Sequence, residues 1–411
     1  MTRKNEYHWV FGNGAHIEFE NGIDLFLHPS TSYFCWEGTA TISDPENGEL
    51  LFYSDGEKLW DANQNQVASG LGSGQNPGAP NWVTPAHSAT IIPPFDNSDN
   101  YHLFSTTGLD DPSSVANGLI HSSFSVTGSG PTVSVQQQSQ PSDLTPGIDT
   151  TERVAATSIG NCEGYWVVTQ QLNTQNMLIV KVDQNGAQLH STQTFVQLGN
   201  LNAIGCMKFS ADGTSLAYSN QDAGEICIFD FNASSGQLSY KFKIHGINDP
   251  DYSTPYGLEY SPDGQLLYYT TINNLHKGIW QAQIGNSDIL HSSNYQVKDG
   301  TALSGFYGAL QLGPDDKIYI NRALELGLST ITFPNLPGSA CDFQDIVYDK
   351  NGNEIIFQNE QPFSLPYFVR RDDSCDNSAP PVCRKIFGVC WPPQVSMIRY
   401  RLDQMLDFGT K

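Results

Sequence analysis

The chain has 411 residues and a formal net charge of −23, from 20 Lys and Arg against 43 Asp and Glu. This balance excludes general electrostatic attraction to nucleic acid or to an anionic membrane surface, so we expect neither partner. Only 15% of residues are charged, while Gly numbers 37 and Pro 23, which is typical of an all-β protein with many turns. No signal peptide is visible and no apolar run reaches transmembrane length, so we expect no membrane insertion.

The first predicted elements are two short strands, 8–11 and 16–19, which have no inner strand of their own. From residue 38 onward one pattern recurs: an alternating strand, a turn rich in Asp, Pro, Asn or Gly, and a second apolar strand. In the three clearest copies Ser210, Ser261 and Gly313 hold equivalent positions, at steps of 51 and 52 residues. A step of that length suits one four-stranded propeller blade.

Extending this register gives the innermost strands of a predicted ring, which end near Ser43, Pro93, Ser158, Ser210, Ser261, Gly313 and Tyr367. The last of them, Leu365–Val369, lacks outer strands downstream, and the strands at 8–19 supply them. Closing a ring with strands from both termini removes exposed sheet edges. The predicted fold is therefore an all-β, seven-bladed β-propeller over residues 1–369, and six or eight blades are the alternative counts.

Residues 370–411 form a predicted tail of different character, with seven Lys and Arg against five Asp and Glu. Apolar residues at helical spacing predict one short amphipathic helix here. Either this helix packs back on the acidic propeller, or it docks a neighbouring subunit. The candidate docking residues are Ile398, Arg399, Arg401, Leu402 and Leu406.

The eight cysteines show no Cys/His spacing typical of zinc. Cys206 and Cys227 lie in apolar, strand-like runs and are predicted to be buried free thiols. The disulfide candidates are the three tail cysteines, paired among themselves or with an earlier one: Cys341, Cys375, Cys383 and Cys390.

Several ordered motifs resemble one known group of proteins. They include Trp9-Val-Phe-Gly-Asn-Gly14, Asn47-Gly-Glu-Leu-Leu-Phe-Tyr-Ser-Asp-Gly56 and Leu365-Pro-Tyr-Phe368. Together they resemble the N-terminal, WD40/YVTN-like β-propeller of Bacteroidetes surface proteins that end in gliding-motility-associated or type IX secretion sorting domains. The resemblance spans roughly residues 9–369 and implies a propeller in an extracellular or cell-surface setting. It supplies no catalytic residues, and residues 370–411 lie outside it.

Candidates for catalysis are weak. Some propellers carry acids and histidines in the central channel, and the corresponding candidates here are Glu37, His87, Glu152 and His276. They form no recognisable nucleophile–base set, and no hydrolase, metalloprotease or nucleotide-binding motif is present. The Asp-Gly pairs fit hairpin turns better than calcium loops. We therefore expect no enzyme activity, no cofactor and no metal, apart from surface calcium at 44–48 or 248–251 as a minor alternative.

Aromatic residues in predicted loops are better candidates for binding, because propellers present ligands a rigid rim of loops. They are Trp36, Trp82, Tyr252, Tyr256 and Tyr307, and packing within the blades is the alternative role for about half of them. The predicted function is a non-catalytic binding or assembly module of a cell-surface or secreted structure, with a protein or glycan ligand on a propeller face. One alternative is a lactonase or glycan-acting enzyme with a channel site. The other is a structural subunit of an extracellular appendage.

Overall fold

The computed structural model describes residues 3–72, 89–95, 99–109, 118–128, 130–160, 163–198, 203–247, 254–272 and 277–369, with the backbone of two tail strands. The chain divides into two compact units, Met1–Arg371 and Asp372–Lys411. Within the described residues the helical elements are 3-10 turns of three or four residues: Lys4–Glu6, Gly130–Thr132, His291–Ser293 and Gly338–Cys341. None of the described helices has the length and apolar character needed to cross a membrane.

Seven sheets form the first unit, one for each blade, which confirms the predicted propeller. Blade 7 contains β1 (His8–Phe11), β2 (Ala15–Glu20) and β3 (Asp24–Leu27). Blade 1 contains β4 (Ala40–Ser43), β5 (Leu50–Ser54), β6 (Lys58–Asp61) and β7 (Gln66–Ser69). Blade 2 contains β8 (Ala89–Ile92), β9 (Asn100–Ser105), β10 (Ile120–Thr127), β11 (Ser134–Gln137) and β12 (Ser142–Asp143).

The remaining four blades follow in chain order. Blade 3 contains β13 (Thr150–Ser158), β14 (Tyr165–Gln171), β15 (Asn176–Asp183) and β16 (Gly186–Thr194). Blade 4 contains β17 (Met207–Phe209), β18 (Ser215–Asn220), β19 (Glu225–Asn232), β20 (Gln237–His245) and, paired in parallel with β20, β24 (Ile289–Leu290). Blade 5 contains β21 (Thr254–Tyr260), β22 (Leu266–Ile272), β23 (Gly278–Gln283) and β25 (Tyr295–Asp299). Blade 6 contains β26 (Phe306–Leu312), β27 (Ile318–Ala323), β28 (Leu328–Ile331) and β29 (Phe343–Gln344).

The sequence repeat corresponds to a recurring hairpin turn after the innermost strand. In blade 4 the Ser210 hydroxyl donates to Asp212 Oδ1 at 2.6 Å, and in blade 5 Ser261 donates to Asp263 Oδ1 at the same distance. Gly213 follows with φ of +68°, a left-handed conformation that glycine adopts without the strain that a Cβ brings. These Asp-Gly pairs are therefore turns, in which the aspartate accepts hydrogen bonds locally.

The core consists of apolar clusters between neighbouring blades. Such clusters join blades 7 and 1, 1 and 2, 2 to 4, 4 and 5, 5 and 6, and 6 and 7. In the last of these, the Trp9 ring of β1 lies 5.5 Å from the Tyr319 ring of β27, edge to face. Because each blade buries a face against the next, the ring closes between the first strands of the chain and its last complete blade.

The C-terminal segment takes part in this closure. Pro366 forms an isolated parallel bridge with Thr39, and the Tyr367 amide donates to the Thr39 carbonyl at 2.9 Å. The Phe368 ring lies 5.8 Å from the Trp9 ring. Leu365–Val369 therefore lies against Thr39, just before β4, and is not a strand of the β1–β3 sheet, contrary to the prediction that it forms the innermost strand of that blade.

In the tail unit, β30 (Arg384–Ile386) pairs antiparallel with β31 (Val389–Trp391), a hairpin that the sequence did not predict. The predicted amphipathic helix and its docking residues Ile398, Arg399, Arg401, Leu402 and Leu406 lie outside the described residues.

Candidate functional site

A buried ion pair links the innermost strands at the centre of the ring. Lys208 of β17 lies with its Nζ 2.9 Å from Glu259 Oε2 of β21, and both side chains are less than a tenth exposed. The ammonium group also donates to Gln311 Oε1 of β26 at 2.7 Å. Glu259 accepts two main-chain N–H groups, from Leu312 at 2.8 Å and from Tyr260 at 3.0 Å. Blades 4, 5 and 6 are therefore connected by one satisfied polar network.

The C-terminal segment completes this network. The Lys208 Nζ lies 4.7 Å from the centroid of the Tyr367 ring, a favourable cation–π distance. The Tyr367 hydroxyl accepts a hydrogen bond from the Ala156 amide of blade 3 at 3.2 Å. A single residue from the end of the propeller thus contacts blades 3 and 4 from the middle of the ring.

Little space remains around these groups. The cavity lined by Glu37, Lys208, Tyr256, Gln311 and Tyr367, among others, has a volume of about 20 Å³. That is room for about one water molecule, whereas small-molecule sites usually enclose about 300–1,000 Å³. Among the described residues, this cavity at the centre of the ring is therefore too small for a small-molecule ligand.

Two predicted residues meet in this cavity. The Tyr256 hydroxyl donates to Glu37 Oε1 at 3.0 Å, and both side chains are buried. Burial raises the pKa of the neighbouring Cys206 thiol to about 12, with the Glu37 carboxylate adding to the effect. A protonated thiol is a poor nucleophile, so this pKa argues against Cys206 as a catalytic thiol beside Glu37 and Tyr256. The predictions that Cys206 and Cys227 are buried free thiols are confirmed.

Glu152, another catalytic candidate, is fully buried in blade 3. Its Oε1 accepts the Leu109 amide at 2.6 Å, and its main-chain oxygen accepts the Thr106 hydroxyl at 3.1 Å. The next residue, Arg153, is also fully buried, and its Nε donates to the Ser219 carbonyl at 3.0 Å. These contacts connect strands and loops of neighbouring blades. The other two candidates, His87 and His276, lie outside the described residues.

The expectation of an exposed aromatic rim is wrong for two of its members. Tyr307 is fully buried and Tyr256 is 2% exposed. Both belong to innermost strands that begin before the repeat motif, and each strand has a register shift at this point, between Pro255 and Leu258 and between Tyr307 and Leu310. The bulge interrupts the alternation of inward- and outward-facing side chains from which strands are predicted, so the sequence around Tyr256 and Tyr307 resembles a loop.

The other aromatic candidates have different outcomes. Trp36 is partly buried, and its carbonyl accepts the Phe363 amide at 3.0 Å. Trp82 and Tyr252 lie outside the described residues.

Among the disulfide candidates, Cys341 is a buried thiol with no disulfide to another described residue. It belongs to the apolar cluster between blades 5 and 6. Cys375 and Cys383 lie outside the described residues, and Cys390 is part of β31.

A histidine cluster that the sequence analysis missed lies on blade 7. His8 of β1 is directly opposite Glu18 of β2, and His16 precedes Glu18 by two residues, on the same face of the sheet. His28, just after β3, donates its amide to the His16 carbonyl at 3.0 Å. The sheet register therefore brings three imidazoles and one carboxylate together.

The side chains of this cluster are in direct contact. His8 Nδ1 and His16 Nε2 are 3.0 Å apart, and His28 Nε2 is 2.8 Å from Glu18 Oε2. The rings of His16 and His28 stack with centroids 4.1 Å apart. One nitrogen from each histidine falls within 4.8 Å of the other two.

Burial keeps the imidazoles of His8 and His16 neutral at pH 7. Burial lowers the pKa of His8 to about 4, against the opposing effect of Glu18. Burial, followed by the nearby His28 and His8, lowers the pKa of His16 to about 2. The hydrogen bond with His28 holds the pKa of Glu18 below its ordinary value. At neutral pH the cluster therefore offers unprotonated ring nitrogens beside an ionised carboxylate.

Comparisons with known proteins agree on the architecture alone. No protein-family model matches the chain, and no curated protein matches it. Among solved structures, a 6-phosphogluconolactonase candidate from Bacteroides uniformis is similar with a TM-score of 0.53 at 10% identity, covering 87% of this chain and 98% of that chain. The β-propeller domain of Cps50 (Swd1) from Myceliophteria thermophila has a TM-score of 0.45 at 12% identity, covering 78% and 92%. At these identities the likeness concerns the fold.

Proposed function

We propose that the chain is a non-catalytic β-propeller module that binds or assembles other molecules in a cell-surface or secreted structure. The observation that carries this proposal is the packed centre of the ring, where Lys208, Glu259 and Tyr367 occupy the space that a channel active site needs. Contacts with a protein or glycan would then be made by loops on a propeller face. The motif resemblance to Bacteroidetes surface proteins supports the extracellular setting.

The lactonase or glycan-acting alternative is the one to test first. Purified protein is incubated with panels of lactones and glycans, with and without calcium, and both turnover and binding are measured. We expect glycan or protein binding without turnover. Glu37→Gln and Glu152→Gln address the two described channel candidates, and Glu20→Gln serves as a control carboxylate at the surface. Turnover that either channel variant abolishes and the control retains would overturn the proposal.

The tail has its own role in the proposal, as a contact to a neighbouring subunit. Residues 370–411 carry seven Lys and Arg against five Asp and Glu in an otherwise acidic chain, and Asp372–Lys411 is a separate compact unit. Deleting residues 370–411 is expected to lower the assembly state in sedimentation velocity while the propeller keeps its far-UV circular dichroism spectrum. An unchanged sedimentation distribution would contradict this role and the appendage alternative together.

A further inference from the structure

We propose that His8, His16 and His28 of blade 7 bind one transition-metal ion, with Zn²⁺ as the preferred occupant and Glu18 as the residue that orients His28. This inference goes beyond the proposed function and does not rest on it. Its basis is the convergence of three imidazoles, from β1, from β2 and from the residue that follows β3, on one side of a sheet.

The distances suit a four-coordinate metal. Zn–N bonds of about 2.0–2.1 Å in tetrahedral geometry place ligand nitrogens about 3.3 Å from each other. His8 Nδ1 and His16 Nε2 are 3.0 Å apart, and the set of three falls within 4.8 Å.

The Glu18 carboxylate would orient a metal ligand without binding the metal itself. A histidine bound to zinc commonly donates its second ring N–H to a carboxylate, which fixes the ring orientation and raises the basicity of the metal-bound nitrogen. Glu18 Oε2 accepts from His28 Nε2 at 2.8 Å, which leaves Nδ1 of His28 for the metal. Glu18 Oε1 is also 3.9 Å from His8 Nε2, so the same carboxylate lies near a second ligand.

The donor type selects the class of metal. Neutral imidazole nitrogens suit Zn²⁺, Cu²⁺ and Ni²⁺, whereas Ca²⁺ and Mg²⁺ prefer oxygen ligands.

Access to the cluster comes from a neighbouring cavity of about 140 Å³, which is lined by His16, His28, Asn13, Ser30 and Phe357, among others. This volume admits a hydrated ion and leaves space for a water molecule as the fourth ligand. Three protein ligands with a solvent molecule in the fourth position would leave the metal reachable from outside.

The test uses full-length protein without a histidine tag, treated with a chelator and then dialysed. Calorimetric titration with Zn²⁺ is expected to give one site per chain, and Co²⁺ is expected to give the intense visible absorption of a tetrahedral complex. His16→Ala should weaken Zn²⁺ binding at least 100-fold, and Glu18→Gln should weaken it about 10–100-fold.

The matched control is His102→Ala. His102 and His121 form a second bonded and stacked pair, with nitrogens 2.8 Å apart, but this pair has only two imidazoles. The control should keep the wild-type Zn²⁺ affinity and the Co²⁺ spectrum. Thermal melts in chelator verify that each variant folds. Wild-type protein that binds no Zn²⁺, or a His102→Ala loss equal to that of His16→Ala, overturns the inference.

Discussion

Removing one partner of the central ion pair tests whether the middle of the ring is structural. In Lys208→Met the Glu259 carboxylate keeps its two main-chain donors but loses its counter-charge in a site that is almost completely buried. Breaking a buried pair in this way typically costs about 3–5 kcal/mol, because an uncompensated charge stays out of water. We expect Lys208→Met to lower the free energy of unfolding by that amount.

The double variant separates the charge from the packing. In Lys208→Met/Glu259→Leu no charge remains, and the remaining cost is that of three unpaired groups, the Leu312 and Tyr260 amides and Gln311 Oε1, about 1–3 kcal/mol each. The cost of the double variant should therefore be at least about 2 kcal/mol smaller than the sum of the two single variants.

The assay is equilibrium urea unfolding followed by tryptophan fluorescence, at one pH and salt concentration. Lys241→Met is the control, because Lys241 and Asp230 form a pair with the same 2.9 Å separation, while the Asp230 side chain is 57% exposed. An exposed pair contributes about 0–1 kcal/mol. If Lys208→Met costs no more than Lys241→Met, the packed centre is not a structural requirement and our reasoning about the channel fails.

Three further outcomes follow from the structure. Burial lowers the pKa of His121 from 6.5 to about 4. As the pH falls from 6.5 to 4, His121 is protonated in the unfolded chain but not in the folded protein, so the free energy of unfolding decreases. His121→Phe should remove about 3 kcal/mol of that decrease in urea titrations at the two pH values. Gly213→Ala should lower the melting temperature more than Gly264→Ala. Both glycines have left-handed φ, but the new methyl group lies 2.3 Å from Thr157 Oγ1 in the first variant and at least 3.9 Å from any neighbour in the second. Equal decreases would contradict this steric argument. Tyr367→Phe should cost about 1 kcal/mol in urea unfolding by removing the acceptor for an amide, and a neutral result would contradict that role.

The blades could be predicted because one local interaction recurs in the sequence. The hairpin after each innermost strand requires a side-chain acceptor and a residue with positive φ, and Ser-x-Asp-Gly supplies both at 210–213 and 261–264. In the third copy Asp316 takes the left-handed position with φ of +62°. Aspartate tolerates this conformation better than most residues, so the repeat remained visible without its glycine.

The identity of the rim residues could not be predicted, for a physical reason that applies to both errors. Tyr256 and Tyr307 lie next to bulges in the innermost strands, where an extra residue changes which face a side chain occupies. Alternation read from the sequence ends at such a bulge, and the aromatic residue beyond it then has the appearance of a loop residue. Only the pairing partner on the next strand shows that the strand continues.

The histidine cluster escaped prediction because its members are joined by sheet register and not by a fixed spacing. His8, His16, Glu18 and His28 match no short metal-binding motif. The local signal was His16-x-Glu18, two polar residues on one face of a strand whose other face, Ala15, Ile17 and Phe19, is buried. Once the pairing of His8 with Glu18 is known, the cluster follows from elementary strand geometry.

The location of this cluster has a consequence for the stability of blade 7. The sheet of this blade has three short strands, β1, β2 and β3, all from the first residues of the chain. A metal ion bound by His8, His16 and His28 would crosslink β1, β2 and the residue after β3, and its binding free energy would add to the stability of the folded state. Zn²⁺ should therefore raise the melting temperature of the wild-type protein and leave that of His16→Ala unchanged. A shift of equal size in both proteins would mean that the metal acts elsewhere than at these three histidines.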